Sequence, residues 1–184
     1  MSRQELSLFS YEILGLIGRE GAGPHDLRQM VRRGRIVEWA GESQYYAEPK
    51  RLERLGYLSS TKEPGKTRER TVYHLTEKGL DALREWARTP VSVGPVKSEA
   101  LTRMLIADLV GEEPTRESIA TIRDDVVALS GQLDTMEAAA DTLPHRRKYL
   151  LLSIRYLRGL LQLHLDWVDE VERELTRTDS SPGG

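Results

Sequence analysis

Cysteine is absent from this 184-residue chain, and so is any long apolar run. Without cysteine there can be no disulfide, no thiolate zinc site, no cysteine nucleophile and no thiol redox sensor. No stretch approaches the roughly 18 apolar residues of a membrane helix, and no charged N-terminus leads into an apolar segment with a cleavage site. We therefore expect a cytoplasmic protein without a membrane partner.

Sequence motifs of catalysis and metal binding are also missing. The chain has no Gly-rich phosphate loop, no G-x-S-x-G turn and no H-E-x-x-H motif. Its four histidines, His25, His74, His145 and His164, are too scattered to indicate a metal site. We expect no enzyme activity, no cofactor and no bound metal. An enzyme built on the second half of the chain is the weaker alternative, which measured turnover would support.

Charge is low overall but unevenly distributed. The formal net charge is -2 and the pI is about 6.1, so the chain cannot bind nucleic acid simply by being basic throughout. The segment from Arg28 to Arg70, however, contains eleven basic and six acidic residues, so its net charge is +5. The rest of the chain therefore has a net charge of -7. Such a local basic surface can displace counterions from DNA phosphates, although a merely solvated surface has the same composition.

Two prolines and a glycine divide the chain into halves of different character. The stretch Thr-Pro-Val-Ser-Val-Gly-Pro over residues 89–95 has no helical periodicity, which is typical of a connector. We predict a first domain over residues 1–89, a linker over 90–97 and a helical region over 98–177. The polar residues 178–184 are expected to form a disordered tail.

The first half alternates helical spacing with turn residues. Its apolar positions predict three helices, the second of which turns Leu27 and Met30 inwards. Residues 57–59 and 71–75 have strand composition and flank a polar Pro-Gly turn, which predicts a hairpin. Thr76 is placed to cap a fourth helix. The order helix, helix, helix, hairpin, helix favours a winged helix-turn-helix domain in which the hairpin is the wing.

The second half repeats apolar side chains at alternating steps of three and four residues. One seam of this kind runs from Ile119 to Leu143 in a helix that starts at Thr115, and a second runs from Leu150 to Leu175. Two seams predict long helices packed on each other. The predicted fold class is therefore mainly α with a small β-hairpin wing, a winged helix-turn-helix domain followed by a helical dimerisation region.

A further apolar stripe on the last helix favours a homodimer over a purely intrachain bundle, although the seams fit either arrangement. This stripe contains Tyr149, Tyr156, Leu160, Leu163 and Trp167. The residues predicted to make the dimer contact are Leu150, Ile154, Leu157, Leu161, His164 and Val168. His164 is either a hydrogen-bonded core histidine or a protonation-sensitive contact.

The third helix and the hairpin contain the candidate DNA contacts. Polar side chains at the N-terminal end of the helix can read base edges in the major groove, and basic ones can reach phosphates. The base-reading candidates are Ser43, Gln44 and Tyr46, the phosphate candidates are Lys50, Arg51 and Arg54, and the hairpin candidates are Lys66, Thr67, Arg68 and Arg70. Tyr45 precedes Tyr46 directly, so only one of the two can point inwards, and Tyr46 is the expected contact.

These segments resemble the winged-helix domain of PadR-family regulators. Residues 51–58 match that family's RLE-x-x-G-(L/Y)-(I/L) pattern, and residues 73–79 match its Y-x-L-T-x-x-G motif. Residues 146–167 are similar to its C-terminal dimerisation helix, so the resemblance covers most of the chain. It implies a homodimeric transcription factor, usually a repressor, that binds an inverted-repeat operator of double-stranded DNA and is released by a small-molecule effector or another signal.

The sequence departs from the family pattern at two prolines. Pro24 and His25 replace a Gly-Tyr pair before the second helix, and Pro49 follows Tyr46 by three residues. Proline is tolerated in the first turn of a helix but not in its interior. The third helix therefore either begins near Ala47 or is kinked.

Three tryptophans are candidates for an effector pocket, because aromatic walls stack on planar ligands. They are Trp39, Trp86 and Trp167, and core packing would explain the last two equally well. A winged-helix domain can also serve as a protein-protein adaptor without binding DNA. In that case, removing the positive charge of Arg51, Arg54 and Arg68 would leave binding to the partner largely intact.

Overall fold

The computed structural model describes residues 6–32, 41–64 and 69–177. The chain divides into two compact units, Met1–Ser92 and Val93–Gly184, each with its own hydrophobic core. Residues 90–97 form neither helix nor strand. The predicted tail over 178–184 lies outside the described residues.

The first unit has the predicted order of elements. They are α1 (Leu8–Ile17), α2 (Pro24–Arg32), α3 (Gln44–Arg54), β1 (Leu58–Glu63), β2 (Arg70–Leu75) and α4 (Glu77–Trp86). Helices α1 to α3 and both strands supply one core, which includes Ile13, Leu14, Ile17, Leu27, Tyr45, Leu52, Leu58 and Tyr73. Met30 does not face inwards as predicted but is 46% exposed, because Leu27, one turn earlier, makes the core contact of this short helix.

The two strands pair antiparallel along their whole length, and the segment before α2 extends the sheet by one bridge. Ala22 and Tyr73 exchange two backbone hydrogen bonds of 3.0 Å each. Gly21, just before the bridge, has φ +82°, and a Cβ there would lie 2.6 Å from the His74 ring. Only glycine combines this backbone conformation with so close an approach.

Helix α3 begins at Gln44 and contains Pro49 in its interior, so it does not start near Ala47. Tyr45, Pro49 and Leu52 follow at steps of four and three residues and form the buried side of the helix. The proline costs the helix one backbone hydrogen bond. Its apolar ring packs in the core in return.

The two motifs behind the family resemblance meet where α3 leads into β1 and β2 leads into α4. The Thr76 N–H donates to the Tyr57 carbonyl at 3.2 Å, and its hydroxyl donates to the Gly56 carbonyl at 2.7 Å. A Cβ on Gly79 would overlap the Tyr57 carbonyl oxygen, so glycine is required there. The backbone contacts of these motifs therefore fix the junction of helix, wing and α4.

The second unit contains helices α5 (Glu99–Leu105), α6 (Ala107–Val110), α7 (Glu112–Ala120), α8 (Ile122–Ala140) and α9 (Pro144–Arg177). Where the sequence predicted one helix from Thr115, the structure has two, α7 and α8. Helices α5 and α6 are separated at Ile106, whose φ of -113° and ψ of 11° leave the helical region. Helix α7 begins three residues before the predicted Thr115, because Pro114 in a first turn has no backbone partner to lose.

Helix α9 packs along α8 and against α7 through the predicted seams. The buried side chains are Ile119, Val126, Leu133 and Ala140 on one side and Ile154, Leu157, Leu161, Val168 and Val171 on the other. Ion pairs also join α8 and α9, since Arg123 lies 2.7 Å from both Asp169 and Glu172, and Arg158 lies 2.7 Å from Asp134.

This packing reassigns the residues predicted to contact a second copy. Ile154, Leu157, Leu161 and Val168 are at most 8% exposed, and Leu150 is half-buried. They belong to the chain's own core, because steps of three and four residues suit an intrachain pair of helices as well as an interchain pair. His164 is exposed and its Nδ1 lies 2.7 Å from the Leu160 carbonyl, so it is not a core histidine.

Candidate nucleic-acid interface

An open groove lies between α3 and the hairpin of the first unit. Its lining is Ser43, which directly precedes α3, Tyr46, Ala47, Lys50, Glu53 and Arg54 from α3, and Ser60, Lys62, Thr71 and Tyr73 from the strands. The groove brings together four of the predicted DNA contacts. Lys62 was counted in the basic segment but not singled out as a contact, since only the strand pairing shows that it faces the helix.

The two adjacent tyrosines of α3 point in different directions. Tyr45 is 1% exposed, and its ring packs edge-on against Phe9 with centroids 5.1 Å apart. Tyr46 is 38% exposed and lines the groove. The aromatic side chain on the accessible side of α3 is therefore Tyr46.

Polar groups at the start of α3 are accessible. Ser43 is exposed, and its hydroxyl caps none of the described backbone N–H groups of the helix. The Gln44 side chain is exposed as well. Hydroxyl and amide groups in this position can donate to or accept from base edges.

The basic residues that line the groove form no ion pair with the acids that the structure describes. Lys50 and Arg54 are exposed and make no ion pair with any residue that the structure describes. Lys62 donates to the neutral Thr71 hydroxyl at 2.8 Å. Among the described residues that line the groove, these three cations have charge available to a phosphate.

Arg51 belongs instead to a cluster that ties α3 to α1. Its Nε donates to Glu48 Oε2 at 2.9 Å, and the Ser10 hydroxyl of α1 donates to Glu48 Oε1 at 2.7 Å. Burial raises the pKa of Glu48, but the hydrogen bonds from Arg51 and Ser10 and the Arg51 charge outweigh it, so the pKa lies below its usual value. Of the predicted phosphate contacts, Arg51 is thus the one already engaged within the protein.

Arg70, at the start of β2, is engaged as well. Its guanidinium lies 3.0 Å from Glu63 and 3.4 Å from Asp26. The other hairpin candidates, Lys66, Thr67 and Arg68, lie outside the described residues, and their DNA contacts stay predictions.

Two of the three tryptophans predicted to line an effector pocket are among the described residues, one in each unit. Trp86 stacks on Tyr11 within the first unit, with ring centroids 4.6 Å apart. Trp167 packs against the core around Ile119 in the second unit. Trp39 lies outside the described residues. Each described tryptophan has a packing role in its own unit, and the pocket stays a prediction.

Metal-ligating side chains are not clustered in the part of the chain that the structure describes: no three His, Asp or Glu residues come together there. His25 lies 2.9 Å from the Gln29 amide, and His74 lies 3.0 Å from the Thr61 hydroxyl. No described helix has both the length and the apolar character needed to cross a bilayer.

The outer face of α9 is apolar and uncovered by the described residues of its unit. Tyr149, Leu152, Tyr156 and Leu163 are 51–69% exposed. Contiguous apolar exposure on this scale marks a contact surface more often than a surface left in water. We call these four residues the outer stripe.

Charge on α9 is separated along its length. Residues 145–158 include five Lys or Arg residues and no acid, whereas residues 160–177 include five acids and two Arg. Within the basic half, Arg146, Lys148 and Arg155 make no ion pair with any residue in the described ranges. The helix therefore has a positive half and a negative half.

Comparison with solved structures identifies the architecture. The virulence activator AphA of Vibrio cholerae superposes with a TM-score of 0.73 at 22% identity, covering 92% of this chain and 98% of that one. A PadR-like regulator of Bacillus cereus superposes with a TM-score of 0.71 at 17% identity, covering 92% of this chain and 98% of that one. PadR of Bacillus subtilis in complex with operator DNA gives 0.68 at 19%, covering 93% and 99%.

The chain has the PadR-like winged-helix fold. This confirms the predicted fold class, including the hairpin wing and the helical second region. No protein-family model matches the chain, and no curated protein matches it. At 17–22% identity, similarity to these structures establishes the fold alone. What the chain binds depends on its own side chains.

Proposed function

We propose that the protein is a sequence-specific DNA-binding transcriptional regulator. The observation that carries this proposal is the groove between α3 and the hairpin, where Lys50 and Arg54 present charges that no described acid pairs. PadR of Bacillus subtilis, which has the same fold, has been solved on operator DNA. Counterion release by such cations provides affinity, and a helix in the major groove provides selection among sequences.

The proposed roles differ along α3. Ser43, Gln44 and Tyr46 face base edges at the N-terminal end of the helix. Lys50, Arg54 and Lys62 contact phosphates on the two sides of the groove, and Arg51 positions α3 through Glu48 and Ser10. Lys66, Thr67, Arg68 and Arg70 extend the contact to the flanking backbone or minor groove.

We also propose that two copies pair through the outer stripe of α9. The inner face of this helix is already covered by α7 and α8, so a second copy is the simplest cover for the outer one. An antiparallel pair lays the basic half of each helix on the acidic half of the other, whereas a parallel pair would oppose like charges. A two-fold axis beside Gly159 also brings Tyr156 and Leu163 of the two copies together.

Single cysteines test this pairing cleanly in a chain that has none. Gly159→Cys should give a disulfide-linked dimer on mild oxidation, since a side chain there meets open space. Gly131→Cys on α8, equally open, is the matched control and should stay unlinked. Tyr149→Cys should also stay unlinked, because antiparallel pairing separates the two copies of this residue by about 30 Å along the axis. A linked Tyr149→Cys dimer would mean parallel pairing instead.

Regulation follows from the dimer. Two α3 helices related by a two-fold axis fit the half-sites of an inverted repeat. We propose that the protein acts as a repressor, and that an effector changes the spacing of the two helices and so the affinity. PadR of Bacillus subtilis has also been solved with p-coumaric acid. Trp39, Trp86 and Trp167 are the candidate side chains for a planar ligand here.

Selection of bound duplexes from a random pool, followed by titration at several salt concentrations, tests the DNA-binding function. We expect an enriched inverted repeat whose affinity falls linearly with salt on logarithmic axes. Absence of both enrichment and salt-sensitive binding would contradict the proposal.

A further inference from the structure

Glu53 is the one acidic side chain among the described residues that line the groove. Its Oε1 accepts a hydrogen bond from the Ser60 hydroxyl at 2.5 Å, which links α3 to β1. Glu42, Glu48 and Glu63 each pair with an arginine, whereas Glu53 makes no ion pair within the described ranges. An uncompensated anion therefore shares the groove with the cations that we assign to phosphates.

The hydrogen bond to Ser60 does not require this charge. The carbonyl oxygen of a glutamine accepts from a hydroxyl in the same geometry. The charge of Glu53 also acts on Tyr73, which lines the groove from β2. The pKa of Tyr73 is raised, first by burial and then by the Glu53 charge. The charge thus needs an explanation of its own, separate from the contact between helix and strand.

Building on the proposed DNA-binding function, we infer that Glu53 restrains DNA binding by repelling the phosphates that Lys50, Arg54 and Lys62 attract. Because phosphates carry no sequence information, the repulsion acts on every duplex. Weak binding to non-operator DNA lets a regulator leave wrong sites, which outnumber its operators by far. Glu53 would keep the affinity of the groove within that range.

The test is Glu53→Gln in the full chain, titrated against the selected duplex and a scrambled duplex of equal length. Without the repulsion, the groove should neutralise about one more phosphate. The logarithmic salt slope should then become steeper by about 0.9, and affinity for both duplexes should rise about fivefold near physiological salt. A gain confined to one base position would show that Glu53 reads a base, and would overturn the inference.

Two further variants separate charge from position. Ser60→Ala removes the hydrogen bond but keeps the carboxylate, so it should not raise affinity. Glu85→Gln on α4 makes the same change in net charge outside the groove, and should leave affinity near that of the wild type. The repulsion would be refuted if Glu53→Gln raised DNA affinity no more than Glu85→Gln does. It would also be refuted if Ser60→Ala raised DNA affinity as much as Glu53→Gln does.

The outcomes also distinguish this inference from the function on which it rests. Wild-type protein that binds neither duplex in a salt-sensitive way would contradict DNA binding itself. Wild-type protein that binds the selected duplex, with no gain in Glu53→Gln, would overturn only the role of Glu53.

Discussion

Helices α3 and α9 each have one face in the core and one face left outside, but the two outer faces differ in chemistry. On α3 the outer face is polar, with Lys50 and Arg54 unpaired by described acids. On α9 it is the apolar outer stripe, between a basic and an acidic half. A polar cationic face suits a polyanion, and an apolar face with separated charge suits a second protein helix. This difference is why we propose DNA as the partner of the first unit and a second copy as the partner of the second.

The inner faces differ as well. The buried contacts of helix α9 are aliphatic, and its ion pairs to α8 lie at exposed side chains. Helix α3 instead has a mostly buried carboxylate, Glu48, which joins Arg51 to Ser10. The effect of a substitution should therefore depend on how deeply the side chain is buried on α9, and on which charge is removed on α3.

The largest effect is expected from charges placed on the inner face of α9. Leu157→Asp combined with Leu161→Asp buries two carboxylates among aliphatic side chains, because both positions are at most 8% exposed. The free energy of unfolding of the second unit should fall by more than about 4 kcal/mol. Thermal melts followed by circular dichroism would show the loss. A folded monomer would mean that these leucines face a partner after all.

The same charges on the outer stripe should spare the fold. Tyr156→Asp with Leu163→Asp changes positions that are 69% and 61% exposed, so stability should move by about 1 kcal/mol or less. The dimer should nevertheless dissociate, because pairing would bury the new carboxylates. Sedimentation equilibrium would report the change, and an intact dimer would place the contact elsewhere.

On α3, the comparison predicts a division between neighbouring cations. Lys50→Ala with Arg54→Ala removes two proposed phosphate contacts, which should flatten the logarithmic salt slope by about 1.8 and weaken binding about thirtyfold near physiological salt. Arg51→Ala is the matched control, and should lower the melting temperature with little change in slope. An equal slope change from Arg51→Ala would restore that residue as a phosphate contact.

The sequence predicted the structure correctly where a helix packs one side against a single hydrophobic core. The order of elements in the first unit, the inward Tyr45 and the seams of α8 and α9 all follow from periodicity. It failed where the same pattern serves two structures, since steps of three and four residues cannot tell an intrachain helix pair from a dimer. Thus Leu157, which was predicted to contact a second copy, packs against the chain's own helices instead.

The candidate site was less predictable than the fold, because charge counts ignore pairing. Arg51, Arg54 and Arg70 look alike in sequence, yet only Arg54 lacks an ion pair with the described residues. The acids that engage the other two come partly from different elements, which only the folded chain brings together. The role of Glu53 in the groove could not be seen from composition for the same reason.

The smallest expected effect concerns the polar tie of α3. Glu48→Gln keeps the shape of the side chain but loses charge-assisted hydrogen bonds, so the free energy of unfolding of the first unit should fall by about 1–3 kcal/mol at neutral pH. Because the pKa of Glu48 is lowered in the folded protein, its stabilisation is fully present above the unfolded value of about 4.3. It is lost as the pH falls through the lower folded value.

Denaturant titrations from neutral to acidic pH should therefore show wild type and Glu48→Gln converging in acid. Glu12 on α1 provides a control of opposite sign, because burial raises its pKa and so penalises its ionised form. Glu12→Gln should be slightly more stable than wild type at neutral pH, and this difference too should vanish in acid, where wild-type Glu12 is protonated. If Glu48→Gln stayed less stable than wild type by the same amount at every pH, the tie between α3 and α1 would depend on shape, and the distinction between the polar inner face of α3 and the apolar inner face of α9 would not hold.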